Sequence, residues 1–403
     1  MIYKIDIENF YSIRDRQTID LRVPANAPEG THRLAGCWRG SVERAPKVVA
    51  VFGANGSGKS NLLRALSFAA WFVGSSFSHR PGGRIPYEPF NDADSLKRPT
   101  RLKLWSSGPE DPGAPARENT VECPYCYELA IGNGDNQHVI GEAIFYWPTS
   151  TGRKTRLIER FEDGRVKAAK VFGLSGYKGA LEKVLRPNAS VISTLVQLNH
   201  PISVGVAESA ERIRSNIFIE KFEVADDVVL RTYMDHPELV DRFNWEIGRI
   251  DVGVRALEIA QGRDGPQVWF HHDGLAVPMP PILESHGTRQ FLKLFPLISV
   301  SLAAGGIAII DELDAAIHSM ILPEIIDWYH DPARNPHDAQ LWMTCHNVSL
   351  LEELSKDEIV FCEKDGRGRT ETYGLNDVKG VRRDDNYYRK YLGGVFGAVP
   401  RVG

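Results

Sequence analysis

The sequence predicts an α/β protein, with a buried core sheet around a glycine-rich loop, an antiparallel β-subdomain and an inserted helical subdomain. Three observations predict it. Val48-Val49-Ala50-Val51-Phe52 is a continuous apolar run, the pattern of a strand covered on both faces of a sheet. A glycine loop follows it, and then apolar residues at 62, 63, 66, 69 and 70, which is helical spacing over 61–72. A second apolar run, Ile307-Ala308-Ile309-Ile310, ends in the acidic pair Asp311-Glu312.

Taken in chain order, residues 2–24 read as two short strands around Asn9-Phe10-Tyr11-Ser12, and 24–45 as a loop rich in Pro, Gly and charge. From about 101 to 162 short strands are separated by turn residues such as Gly132-Asn133-Gly134 and Thr151-Gly152, the signature of an antiparallel sheet. Between about 165 and 255 the character changes. Residues 179–185, 204–219 and 237–248 read as helices, broken by Pro187 and Pro201. Residues 254–277 resemble a hairpin around 262–266, after which a helix, a buried strand and another helix close the main unit. The division expected is a first lobe over 1–164, a helical insert over 165–255 and a second lobe over 256–403. The two lobes then form one discontinuous domain.

Composition bounds the function. At 403 residues and 42% hydrophobic, the chain has material for two or three packed units. Lys plus Arg number 48 against 52 Asp plus Glu, so a formal charge of −4 supplies no global attraction to nucleic acid or anionic membrane. Such contact needs a local patch, and the pairs Arg153-Lys154 and Arg382-Arg383 read as solvated surface. No apolar stretch is long enough to span a bilayer or serve as a secretory core, and the five cysteines are an odd number. The expected location is a reducing cytoplasm. Cys123-Pro124-Tyr125-Cys126 lacks the second ligand pair of a zinc site and the βαβ setting of a redox motif, so both cysteines read as ordinary packing thiols.

Gly53-Ala54-Asn55-Gly56-Ser57-Gly58-Lys59-Ser60 fits GxxxxGK[ST] at every fixed position and lies between the expected strand and helix. Glycines let successive N–H groups turn inward around phosphate oxygens, and the helix N-terminus adds the positive end of its dipole. Lys59 is expected to reach the β and γ phosphates of ATP, and Ser60 to offer an oxygen to Mg²⁺. A P-loop also needs a carboxylate at the end of a neighbouring buried strand. Asp311 is expected to hold Mg²⁺ through water, and Glu312 to orient and deprotonate the attacking water.

These residues resemble ABC-type ATPase heads related to SMC and DNA-repair ATPases, and more narrowly the AAA-15/AAA-21 ATPases of phage-defence loci. The resemblance runs from the opening Ile5-Asp6-Ile7-Glu8-Asn9-Phe10-Tyr11-Ser12-Ile13, through the loop continued by Asn61-Leu62-Leu63, to Glu284-Ser285-His286-Gly287-Thr288-Arg289 at the position of a degenerate signature. It continues with Asp311-Glu312-Leu313-Asp314 and Thr344-Cys345-His346-Asn347, and the ending Tyr391-Leu392-Gly393-Gly394-Val395-Phe396-Gly397-Ala398-Val399-Pro400 is similar to that of RloA-type ATPases. The resemblance implies that Asn61 adjoins the nucleotide, and that Ser285 and Gly287 bind the γ-phosphate of an ATP held by another chain. It implies His346 as the switch histidine. Ser285-His286-Gly287 departs from LSGGQ, and no glutamine stands in Tyr87-Glu88-Pro89-Phe90-Asn91, where the family links its first helix to the β-subdomain. His318 sits where relatives often carry a His, with its role open.

The resemblance further implies a homodimer or assembly of dimers that sandwiches ATP, in a cytoplasmic anti-phage system. There the ATPase would sense a nucleic acid or phage protein and control a separately encoded nuclease or toxin. An SMC-like DNA-binding repair ATPase is the alternative, and it calls for a long heptad coiled coil or basic stripe that the sequence does not display. A non-hydrolysing nucleotide-switch scaffold is the other, against which Glu312 stands.

Overall fold

The protein is described from a computed structural model covering residues 1–23, 32–113, 120–134, 136–222, 225–250, 253–263, 265–315, 317 and 321–399. The chain opens with β1 (Ile2–Glu8) and β2 (Gln17–Asp20), then a small pair, β3 (Leu34–Gly36) and β4 (Arg44–Pro46). β5 (Val48–Phe52) leads through the glycine loop into α1 (Lys59–Ser75). Next come β6 (Thr100–Pro109), β7 (Glu122–Gly132), β8 (His138–Tyr146), β9 (Thr155–Phe161) and β10 (Val166–Ala168). Helices α2 (Lys178–Val184), α3 (Val191–Val196) and α4 (Pro201–Glu211) precede the short β11 (Ile213–Ser215). Then follow α5 (Asp226–Asp235), α6 (Pro237–Ile250), β12 (Val254–Gly262) and β13 (Gly265–His272). The chain closes with α7 (His286–Ala304), β14 (Ile307–Ile310), α8 (Leu322–His330), β15 (Gln340–Thr344), β16 (Ile359–Lys364), β17 (Thr370–Gly374) and α9 (Tyr387–Leu392).

Two large sheets result. The core sheet has the order β11-β14-β15-β5-β16-β17, parallel except for the edge strand β17; the other, β10-β9-β8-β7-β6-β1-β2, is antiparallel throughout. The uninterrupted apolar runs have a direct cause. Val48, Ala50 and Phe52 of β5 join Ala308 and Ile310 of β14 and Leu341 and Met343 of β15 in a core shared with α7 and α8. Val49, Val51, Ile307, Ile309 and Trp342 point the other way, into a core shared with α1 and the antiparallel sheet. Each central strand is thus covered on both faces, so neither face can be polar. A third apolar cluster packs the far half of the antiparallel sheet against α2, α3 and α4.

The fold class read from the sequence is the one observed, with differences inside it. The helix expected over 204–219 instead starts at Pro201, where a missing N–H in the first turn costs nothing, and ends at Glu211. His200 caps it by accepting from Ser203 N. Residues 213–215, expected to be helical, pair in parallel with Ile307–Ile309 at the edge of the core sheet. The stretch 165–255 is therefore not one helical body. Its α2, α3 and α4 contribute to the third cluster, β11 belongs to the core sheet, and α5 and α6 share the first core with α7 and the β12–β13 hairpin. Within the expected loop 24–45, β3 and β4 pair with each other. No helix among the described residues is long and apolar enough to cross a membrane.

Candidate functional site

The loop from Gly53 to Ser60 connects the buried β5 to α1, so the glycine turn stands at a helix N-terminus and at the C-terminal edge of the parallel strands. Two glycines are required by crowding. A Cβ at Gly53 would lie 2.2 Å from the Cys362 carbonyl oxygen, and one at Gly58, where φ is +103°, would lie 2.2 Å from Thr370 Oγ1. The loop is braced from outside: Thr370 Oγ1 donates to Ser57 O at 2.7 Å and lies 2.7 Å from Ser12 Oγ, which accepts from Asn61 Nδ2 at 2.6 Å. Ala54 N donates to Ala398 O at 3.1 Å, and Tyr391 supports the same carbonyl with its hydroxyl at 2.9 Å. The family-like ending of the chain is thereby packed against the base of the loop.

Lys59 is buried, and its Nζ donates to Gly53 O at 2.9 Å and Ala54 O at 3.2 Å. Burial lowers its pKa, while the charges of Asp311, Asp314 and Glu312 act in the opposite sense. Asn55 and Gly56 stand exposed at the tip of the loop. Ser57 Oγ is buried, with no hydrogen-bond partner among the described residues.

Opposite the loop, β14 delivers Asp311. Ser60 Oγ donates to Asp311 Oδ1 at 3.0 Å, although the two residues are 251 positions apart. Thr344, at the end of β15, donates its hydroxyl to the same carboxylate oxygen at 2.7 Å and accepts Glu312 N–H at 2.7 Å. Among the described residues no group of three or more His, Cys, Asp and Glu is gathered to hold a metal. Ser60 and Asp311 instead make the oxygen-only pair that a small hard cation takes when phosphate and water complete its shell, so these residues fit Mg²⁺. Asp311 is almost fully buried, and its backbone is clamped: Asn216 Oδ1 accepts Asp311 N–H at 2.7 Å while Asn216 Nδ2 donates to Asp311 O at 3.2 Å.

Glu312 follows with φ at +52°, a backbone conformation uncommon outside glycine. Its half-exposed carboxylate accepts from Lys221 Nζ at 2.9 Å and lies 3.8 Å from His346 Nε2. The Lys221 hydrogen bond is the main cause holding the Glu312 carboxyl below its ordinary pKa. Asp314 Oδ2 accepts the N–H groups of His346 and Asn347 at 2.8 and 2.7 Å, fixing the loop that carries the histidine. Chemically, the arrangement offers the backbone amides of a glycine loop at a helix N-terminus, an ammonium, a hard oxygen pair, and a carboxylate beside an imidazole.

The expected residues Gly53, Ala54, Asn55, Gly56, Ser57, Gly58, Lys59, Ser60, Asn61, Asp311, Glu312 and His346 thus converge on one region. Ser285 and Gly287 do not join that hydrogen-bond network. Ser285 is the N-cap of α7: its Oγ accepts Thr288 N–H at 3.0 Å and lies 2.7 Å from Thr288 Oγ1. His318 lies outside the described residues. No glutamine from 87–91 supplies an amide here; the amide beside Asp311 is that of Asn216, at the end of β11. Sequence reading missed Asn216, Lys221, Thr370 and the bracing by Ser12. Thr344 was legible only as the residue before Cys345-His346. Cys123 and Cys126 are free and buried in β7, where burial pushes both thiols up to about 12, as befits packing residues.

Comparison with known proteins supplies the relatives. A family model described as "AAA domain, putative AbiEii toxin, Type IV TA system" matches residues 48–103 and 153–352. Three solved structures are similar at low identity: an SMC head bound to the C-terminal winged-helix domain of ScpA (14% identity, TM-score 0.45, covering 93% of this chain and 98% of that one), the SMC head domain from Thermotoga maritima (14%, 0.42, 93% and 98%), and an Smc head domain with an extended coiled coil bound to the C-terminal domain of ScpA from Pyrococcus furiosus (13%, 0.42, 98% and 99%). No curated protein matches. Because the matched segments make up more than half of its residues and include both the glycine loop and the Asp311-Glu312 strand, the chain belongs to this AAA domain family.

Proposed function

We propose that the protein is an ATP-hydrolysing, ABC-type ATPase, a homodimer or assembly of dimers, that controls a separately encoded effector in a prokaryotic anti-phage system. The observation that carries the ATPase reading is the meeting of Ser60, Asp311, Thr344, Glu312 and His346 around the loop. In this reading the amides of the Gly53–Ser60 loop bind the phosphates, and Lys59 exchanges its two carbonyl contacts for β and γ oxygens. Ser60 and Asp311 hold Mg²⁺, which supplies charge neutralisation at those oxygens when bound. Glu312 accepts the proton of the attacking water, and His346 donates a hydrogen bond toward the γ-phosphate. Ser285 and Gly287, at the N-terminus of α7, bind the γ-phosphate of ATP held by a second copy. The defence role rests on the sequence resemblance together with the family description, which names a toxin–antitoxin system. The trigger is then a nucleic acid or phage protein, and the effector a nuclease or toxin.

Glu312→Gln tests the chemistry and the assembly together. The amide keeps the size of the carboxylate but cannot accept a proton, so single-turnover hydrolysis should fall by roughly 10²-fold or more. Light scattering should show a tighter dimer accumulating with ATP and Mg²⁺. Near-normal hydrolysis removes Glu312 from the base role; slow hydrolysis without an ATP-dependent change in mass rejects head engagement.

A further inference from the structure

Glu312 is already engaged by a residue that no motif contains. Lys221 lies on the turn after β11, where Ile217 and Lys221 form an isolated antiparallel bridge. Its ammonium donates to Glu312 Oε2 at 2.9 Å across 91 positions of sequence, with both side chains more than a third exposed. The same short segment carries Asn216, which clamps the Asp311 peptide. One strand-and-turn unit therefore sets the backbone of one acidic residue and the carboxylate of the next. A cavity of about 120 Å³ adjoins the pair, lined by Asn216, Lys221, His286, Lys293 and Glu312 among others. There is room beside Glu312 for the lysine to withdraw.

We propose that Lys221 is a positioning residue that restrains Glu312, holding its carboxylate in an ion pair, and that displacement of the 217–222 turn releases it for catalysis. This rests on the reading of Glu312 as general base. Two physical arguments support it. A carboxylate that already accepts from an ammonium is oriented by that ammonium rather than toward an attacking water. An ion pair this exposed is worth little, so it can open on a small structural change and suits a latch better than a staple. The lever is present: α4 runs directly into β11, its own far side packed in the cluster with α2, α3 and the antiparallel sheet. Movement of those helices reaches Glu312 through β11 and the turn that follows it.

Other charged groups surround Glu312. They are His346 at 3.8 Å, Lys59 across the loop, the adjacent Asp311 and Asp314, and His286 and Lys293 around the cavity. The test is single-turnover and steady-state ATP hydrolysis in the full chain for wild type, Lys221→Met and Lys221→Arg. Lys221→Met should raise the single-turnover rate a few-fold while leaving KM for ATP unchanged, because the carboxylate loses the partner that holds it aside. Lys221→Arg, which keeps an ion-pair partner, should return the rate toward wild type. An unchanged or lower rate in Lys221→Met overturns the restraint. Glu312→Gln in the same assay separates the two readings: if it hydrolyses normally, the base assignment fails instead.

Discussion

At the scale of single residues, the glycine loop separates two demands that a motif treats alike. Gly56 and Gly58 both have positive φ, +73° and +103°, but a Cβ on Gly56 meets nothing within 4 Å, whereas one on Gly58 meets Thr370 Oγ1 and Ser12 Oγ at 2.2 and 2.8 Å. Gly56→Ala should therefore cost about 1 kcal/mol in strained backbone and little else. Gly58→Ala should cost about 2–4 kcal/mol, because it adds steric displacement of the Thr370–Ser57 and Ser12–Asn61 hydrogen bonds to that strain. Urea unfolding of the two variants measures the difference, and equal costs would show that the brace is unimportant. The P-loop and the Asp311-Glu312 pair were legible from sequence because their chemistry demands particular residue types at fixed spacing. Asn216 and Lys221 were not. Their work consists of contacts across 95 and 91 positions with Asp311 and Glu312, and nothing local distinguishes them from any surface Asn or Lys.

At the scale of elements, legibility followed length and periodicity. The strands β5 and β14 announced themselves as apolar runs because both faces are buried, and α1 by its helical spacing. β11 has three residues, too few for any period, and inherits its state from pairing with Ile307–Ile309. The junction before α4 yields a prediction. His200 is buried, caps the helix, places Nε2 2.8 Å from Phe172 O, and stacks on Phe172 with ring centroids 4.5 Å apart. Burial lowers its pKa from 6.5, outweighing the Phe172 carbonyl, which favours the charged ring. The folded state thus binds this proton less readily than the unfolded chain. The contribution is complete above the unfolded value and is lost as pH falls toward and through the folded one. His200→Gln should be less stable than wild type near about pH 7.5, having lost the ring contacts, and the gap should narrow near about pH 5.5. Thermal melts of both proteins at the two pH values check this; a gap independent of pH would mean that His200 binds protons equally in the folded and unfolded states.

At the scale of the whole molecule, the phosphate loop and the Ser285–Gly287 turn belong to different hydrogen-bond networks of one chain, the turn being tied to Glu284 and Thr288. Within the reading proposed above, each nucleotide needs the loop of one copy and the turn of another, so a symmetric dimer has two composite sites. Two variants damage different halves. Lys59→Ala removes the ammonium that meets the phosphates, and Ser285→Arg places a bulky cation at the cap that must dock on the γ-phosphate. Each protein alone should be inactive, since every site in its homodimer carries the lesion. A mixed dimer holds one site in which both lesions coincide and one in which neither is present. Equal mixing with free exchange makes about half of the dimers mixed, so activity should recover to about a quarter of wild type if the two sites fire independently, and less if they must fire together. The measurement is ATP turnover of the mixture, with differently tagged chains co-purified to establish that mixed dimers formed. Recovery requires that loop and turn act on one nucleotide from separate chains. Hydrolysis by the Ser285→Arg protein on its own would place the two features outside a common site, leaving Ser285 as a helix cap and the ATPase cycle confined to a single head.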